Sequence, residues 1–199
     1  MAAKLALSQD ADADQLLSED PLALLIGMVL DQQIPLEWAF KGPYELKQRL
    51  GKDLDAADLA SMDPEVLAKS FAERPALHRY PGSMAKRVHE LAQQLVEDYD
   101  GEADKVWTTA KTGEQLYRNL KRLPGFGEQK ARIFLALLAK QLGVKPQGWK
   151  DQAGDYGRPG TFMSVADITS PDSLLKVREY KQQKKAAAKA AQAAKAEQP

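Results

Sequence analysis

Apolar residues recur at helical spacing through most of the chain. Leu116, Tyr117 and Leu120 share one face of the stretch Glu114 to Arg122, and Ala131, Phe134, Leu135 and Leu138 follow at i, i+3, i+4 and i+7 in the stretch Glu128 to Leu142. The spacing predicts two amphipathic helices meeting at a five-residue turn, Leu123 to Gly127. Pro124 cannot continue a helix, and Gly125 and Gly127 admit positive φ, so this turn can fold tightly and come close to another surface. The first N–H groups of the second helix then point outward unpaired beside a positive helix end, which suits a phosphate oxygen.

The rest of the chain punctuates in the same way. Residues 1–17 read as a flexible lead-in to Ser18, a predicted N-cap with Glu19, Asp20 and Pro21 in the first turn. From Leu22 the run LALLIGMVLDQQ is apolar nearly all round, so it predicts a central buried helix whose polar end, Asp31-Gln32-Gln33, reaches the surface. A further helix is expected through Trp38, Ala39 and Phe40, then short ones over Pro43 to Leu50 and Asp55 to Lys69. Ser83 is the expected N-cap of a long helix reaching Tyr99, with Val88, Leu91, Ala92, Leu95 and Val96 on its apolar face and Asp100-Gly101 closing it. Val144 to Gly160 carries Pro146, Gly148, Gly154, Gly157, Pro159 and Gly160 and reads as a loop. Ser170 and Pro171 open the last helix, with Asp172 in its first turn. That helix has Leu174, Leu175, Val177 and Tyr180 early and then only Lys, Gln and Ala, so it begins packed and continues solvated.

Composition adds exclusions. A chain of 199 residues is enough for one sizeable domain or two small lobes around a shared cleft. It has no cysteine, which removes disulfides, thiolate metal sites and cysteine-ligated iron–sulfur clusters. His78 and His89 are too few and wrongly spaced to hold a metal alone. The N-terminus lacks a long apolar core and no apolar run approaches membrane-spanning length, so a soluble cytoplasmic protein is expected. No nucleophilic triad, P-loop or Rossmann signature is present. Formal net charge is zero, but unevenly so: residues 1–75 hold 7 Lys+Arg against 14 Asp+Glu, residues 76–145 hold 12 against 8, and residues 146–199 hold 9 against 6. The basic surplus begins where the hairpin region begins, although solvated helix faces account for much Lys/Glu alternation.

The segment LPGFGEQKA, the Gly/Pro-rich stretch after it and the aspartate Asp167 in SVADITSP occur in an order that resembles the HhH-GPD superfamily of base-excision DNA glycosylases. The likeness is to iron–sulfur-free, bacterial-type members of the endonuclease III and 3-methyladenine glycosylase kind, and it extends from about Leu22 to Asp167. It implies an all-α, two-lobed helical fold with a DNA-facing cleft, the hairpin and Gln33 lying on opposite sides. Residues 18–180 would form the glycosylase domain, with the hairpin at 114–142 and the loop at 144–166, followed by a basic Ala/Lys-rich tail at 181–199. It further implies double-stranded DNA with a damaged base as partner, a monomer, and nucleoid association when bound.

Carried over residue by residue, VLDQQIP resembles the element that faces DNA, with Gln33 matching the glutamine that fills the gap left by an extruded nucleotide. Such a gap costs a few kcal/mol in lost stacking and pairing, and an amide can offer both donor and acceptor to the orphaned base. Met28 stands where adenine glycosylases carry a glutamate. Gly125, Gly127, Gln129 and Lys130 match hairpin positions that meet DNA. In members that also cleave the strand, a lysine two residues after the second hairpin glycine attacks C1′; that position is Gln129 here. Lys130 is rotated by about 100° from it on a helix and should not substitute, so a monofunctional enzyme leaving an abasic site is implied.

Asp167 matches the family carboxylate, which would stabilise the oxocarbenium-like sugar and position water. It lies thirty-eight residues after Gln129, against about eighteen in typical members. Asp172, Asp155 and Asp151 are the reserves, Asp172 also being a plain helix-dipole partner. His78 and Tyr80 in LHRYPG, and Trp149 in the loop, can wall a base pocket by stacking, with plain packing as the alternative for each. The backbone carbonyls of Leu123 and Gly125 would hold the monovalent cation, Na+ or K+, often found at such hairpins. A non-catalytic helix-hairpin-helix DNA-binding protein is the competing reading.

Overall fold

The computed structural model describes residues 4–196, with side chains through residue 192. Among the described residues there are eleven α-helices and no strand: α1 (Ala11–Glu19), α2 (Pro21–Leu30), α3 (Leu36–Leu50), α4 (Ala56–Ser61), α5 (Pro64–Ala72), α6 (Pro81–Tyr99), α7 (Lys105–Thr108), α8 (Gly113–Arg122), α9 (Glu128–Gln141), α10 (Trp149–Ala153) and α11 (Pro171–Ala196). The all-α class is as expected. No helix among the described residues is long and apolar enough to cross a membrane.

α2 is the centre of the N-terminal part. Asp20 starts it, accepting from the N–H groups of Leu22 at 2.8 Å and Ala23 at 3.2 Å, with Pro21 in the first position. Every residue from Leu22 to Leu30 is buried, against α1, α3 and α6. α2 and α3 approach unusually closely: a Cβ on Gly27 would sit 2.7 Å from the Phe40 ring, and one on Gly42 would sit 2.5 Å from Leu30. The two helices flank the Asp31–Pro35 turn, so this contact fixes where the turn emerges. α4 and α5 pack on α6. In the C-terminal part α8, α9 and α10 contact one another, and α9 also carries a short 3-10 turn at Val165–Asp167. One apolar core runs through both parts, from Leu5 and Leu7 to Leu174 and Val177.

Four expectations need correcting. Residues 4–17 are not a loose lead-in: Leu5, Leu7 and Leu17 are buried, and α1 is capped by Asp10, whose carboxylate accepts from Asp12 and Ala13 N–H groups. Its acidic, Ala-rich sequence hides a helix because the apolar anchors precede the cap. Ser18 accordingly lies inside α1, and its hydroxyl accepts from Leu5 N–H. The helix expected at Pro43 is the second half of α3, which accommodates a buried proline in its interior. Within the expected loop 144–166, Trp149–Ala153 is helical and Gly154–Gly157 forms a 3-10 turn. The hairpin and Gln33, finally, are not on opposite sides of a cleft, because the turn of the hairpin abuts the end of α2.

Candidate functional site

The end of α2 treats its two glutamines differently. The Gln32 side chain is fully committed: its Nε2 donates to Val29 O at 2.9 Å and its Oε1 accepts from Arg87 Nη1 at 3.1 Å. Its backbone carbonyl lies 2.8 Å from His78 Nε2, while His78 Nδ1 accepts from the Tyr80 N–H at 3.0 Å. An Nδ1 that accepts leaves the ring proton on Nε2, so this pattern assigns a neutral imidazole donating to Gln32. Burial holds the His78 pKa below its ordinary value of 6.5, in keeping with that tautomer. Gln33, one residue on, is exposed and has φ of 58°, a left-handed conformation that side-chain-bearing residues rarely adopt. Gln32 anchors the turn; Gln33 is held out from it.

The hairpin turn rests on this anchor. Leu123 and Phe126 are buried, Phe126 meeting the edge of Phe134 at 5.6 Å between centroids, so the turn is pinned by its apolar members. Gly125 has φ of 81°, and a Cβ there would lie 3.3 Å from Val29 Cγ1. Gly127 has an ordinary extended backbone and no atom within 4 Å of where its Cβ would be. It stands at the N-cap of α9, where no side chain caps the first amides. An open recess in front of them is bounded by Arg87, Glu90 and the turn Pro124–Gly127. The Leu123 carbonyl, one of the two expected cation ligands, accepts from Phe126 N–H at 3.0 Å.

Lys130 reaches back under the turn, its Nζ donating to Val29 O at 3.1 Å. Burial pushes its pKa down to about 8; Asp31 opposes that shift and Arg87 adds to it. Asp31 is half-buried at the C-cap of α2 and lines a recess of ≈ 380 Å³ between the turn and α11, together with Ile34, Pro35, Leu174, Val177 and Lys181. In the sequence the only signal for Asp31 is its place between the apolar helix and the two glutamines.

The other candidates are distributed elsewhere. Gln129 Nε2 donates to Tyr156 OH at 2.9 Å. Tyr80 is exposed near His78, but the His78 ring itself is buried and serves the Gln32 turn, so it offers no face to a base. Trp149 packs its backbone against Gly113 at the far end of α8, about 15 Å along that helix from the hairpin turn. The structure therefore does not gather His78, Tyr80 and Trp149 into one pocket.

The Asp167 side chain is 4% exposed and fully engaged: Oδ1 pairs with Lys140 Nζ at 2.6 Å, and Oδ2 accepts from Met163 N at 2.8 Å and Ser164 N at 3.2 Å. Lys140 lies ten residues beyond Lys130 on α9, about 15 Å along its axis. The structure thus separates Asp167 from Gln33 and the hairpin and gives it a structural partner. Of the reserves, Asp155 pairs with Arg158 and Asp172 with Lys176, all exposed, and Asp151 is exposed on α10. Among the described residues no group of three or more His, Cys, Asp or Glu is placed to hold a metal.

The family model of the HhH-GPD superfamily base excision DNA repair protein matches residues 26–196. No curated protein and no solved structure matches the chain.

Proposed function

The chain belongs to the HhH-GPD superfamily of base excision DNA repair proteins, and from that premise we propose that it is a DNA glycosylase working at the junction of the α2 turn and the hairpin. The observation that carries this reading is Gln33, exposed in a left-handed conformation just past the end of α2, the helix whose Val29 packs against Gly125 of the hairpin turn. A strained, solvent-facing polar side chain held by a fully bonded neighbour suits a group that enters DNA.

In this reading the amides after Gly127 take a backbone phosphate, Gln33 fills the gap in the stack, and the extruded base enters the recess beside Asp31. The Asp31 carboxylate, rather than Asp167, faces the sugar as positive charge develops at C1′. Water then adds to C1′ and gives up a proton, and the base leaves with the pair of the broken C–N bond and is protonated. Deaminated bases such as uracil or hypoxanthine, and alkylated purines, are the substrate candidates. A monovalent cation on the Leu123 and Gly125 carbonyls belongs to the same proposal.

Strand cleavage divides two forms of it. Gln129 has no nucleophile to offer, which favours the monofunctional form leaving an abasic site. Lys130 favours the other: burial lowers its pKa to about 8, which raises the share of free amine near neutral pH. That amine's lone pair would bond to C1′ as the base departs, leading to a Schiff base and strand scission.

Single-turnover assays on a panel of lesion duplexes, each product split with and without alkali, test the proposal. Alkali-dependent nicking at one lesion, lost in Asp31→Asn and kept in correctly folded Asp167→Asn, is the expected result. Nicking without alkali, with borohydride trapping that Lys130→Met abolishes, selects the second form. Duplex binding without turnover at any lesion leaves the non-catalytic DNA-binding reading.

A further inference from the structure

α11 outruns the body that anchors it. Its first turns are held by buried Leu174 and Val177 and by the Arg178–Glu37 ion pair to the start of α3. Lys181 and Gln182 still line the recess beside Asp31, Ile34 and Pro35. Beyond that, residues 183–192 are exposed and the helix continues without a partner. The start of this free stretch therefore lies against Asp31, Ile34 and Pro35, the residues that flank Gln33 in the turn.

Its charges are arranged on one face. At 100° per residue, Lys181 and Lys185 point within about 20° of the direction of Leu174, and Lys184 and Lys189 within about 80°. Gln183, Ala186, Ala187 and Ala190 take the other side. The lysine stripe thus prolongs, beyond the body, the face by which α11 sits on the domain. Its composition also departs from the other helices. Several cations on other helices are matched by acids one turn away, as in Lys86–Glu90 and Glu128–Arg132, and so is Lys176 by Asp172 in the anchored first turns of α11. Between residues 181 and 192 there is no acid at all. Lys184 Nζ lies over the Tyr180 ring at 5.7 Å, and the stripe has no negative partner within its own stretch.

Resting on the glycosylase reading above, we propose that Lys181, Lys184, Lys185 and Lys189 form an arm that binds the phosphates of the duplex flanking the lesion, on the Gln33 side. The partner is chosen by charge complementarity and by continuity with the Gln33 rim. Lys181 to Lys189 spans about 12 Å of helix, comparable to three or four base steps at about 3.4 Å each. The arm reads no sequence, because lysine ammonium groups on backbone oxygens position without specifying. Its contribution is to register the duplex against Gln33.

The test uses the full chain and a quadruple Lys→Gln variant at these positions, binding an undamaged duplex over a range of salt. Each neutralised phosphate contributes about 0.9 to the slope of log K against log salt, so the variant should bind at least about tenfold more weakly at low salt, with a slope shallower by about 3 to 4. On a lesion-bearing duplex cut short on the Gln33 flank, the two proteins should converge. Equal slopes on the long duplex overturn the arm while leaving the glycosylase reading intact. Failure of the natural protein to bind any duplex overturns both. Loss of anionic-vesicle binding in the variant, with duplex binding unchanged, reassigns the stripe to a membrane surface.

Discussion

Gly125 and Gly127 are two residues apart and are glycines for different reasons. At Gly125 the positive φ and the nearness of Val29 are internal demands, so Gly125→Ala should destabilise the fold by about 1–3 kcal/mol. At Gly127 neither demand exists. Gly127→Ala should leave the denaturation midpoint unchanged and weaken duplex binding, because the added methyl can only meet something from outside. Equal losses of stability in the two variants would remove the argument that Gly127 is kept bare for a ligand. The same separation of stability from function applies to Gln33. Gln33→Gly relieves the left-handed strain, so it should gain a few tenths to about 1 kcal/mol while base removal falls by an order of magnitude or more, as read by thermal melting and single-turnover rate. Lys130 is the third case. Holding a partly buried ammonium with a pKa near 8 costs on the order of 3 kcal/mol. Lys130→Met should therefore be more stable than the natural protein at neutral pH, since Val29 O keeps its bond from Gln32.

Among elements, the hairpin was legible because its helices alternate at a clean 3.6 period and Pro124 and Gly125 mark the turn between them. α2 was legible for the same reason. α1 was not, because Leu5 and Leu7 pack ahead of the cap and nothing local announces them; removing its cap with Asp10→Ala should cost about 1 kcal/mol, measurable as a shift in denaturant midpoint. The ion pair of Asp167 was not legible for a different reason. Its apolar VADI setting signals burial but not purpose, and the partner that explains it, Lys140, is twenty-seven residues away in sequence. As the tie between the 3-10 turn and α9, Asp167→Asn should destabilise by about 3 kcal/mol, since it leaves Lys140 without its counter-charge. A catalytic Asp167 would instead lose rate without losing stability. Lys130 shows the limit of carrying a motif across: counting positions gives the direction of its side chain, but not that it ends on a carbonyl of α2.

For the molecule as a whole, pH should act through the junction where the two parts meet. His78 is held neutral when folded and takes a proton at about 6.5 when unfolded, so the unfolded state binds more protons as pH falls below that value. The His78 contribution should be constant above pH 6.5 and stability should decline below that value toward the folded pKa, a decline reduced in His78→Gln. Lys130 acts at the other end: its burial cost is present in full below about pH 8 and disappears as pH rises to 10.5, so stability should climb across that window in the natural protein and not in Lys130→Met. Chemical denaturation at a series of pH values reads both. The contact of Gly125 with Val29, and of Lys130 with the carbonyl beneath it, has a kinetic consequence as well. The uncapped amides of α9 and Gln33 are parts of one body, already ordered before any encounter. A search along DNA would then be interrogated by a fixed probe rather than by a closing jaw, with scanning speed set by friction with the duplex and not by a protein rearrangement between one base pair and the next.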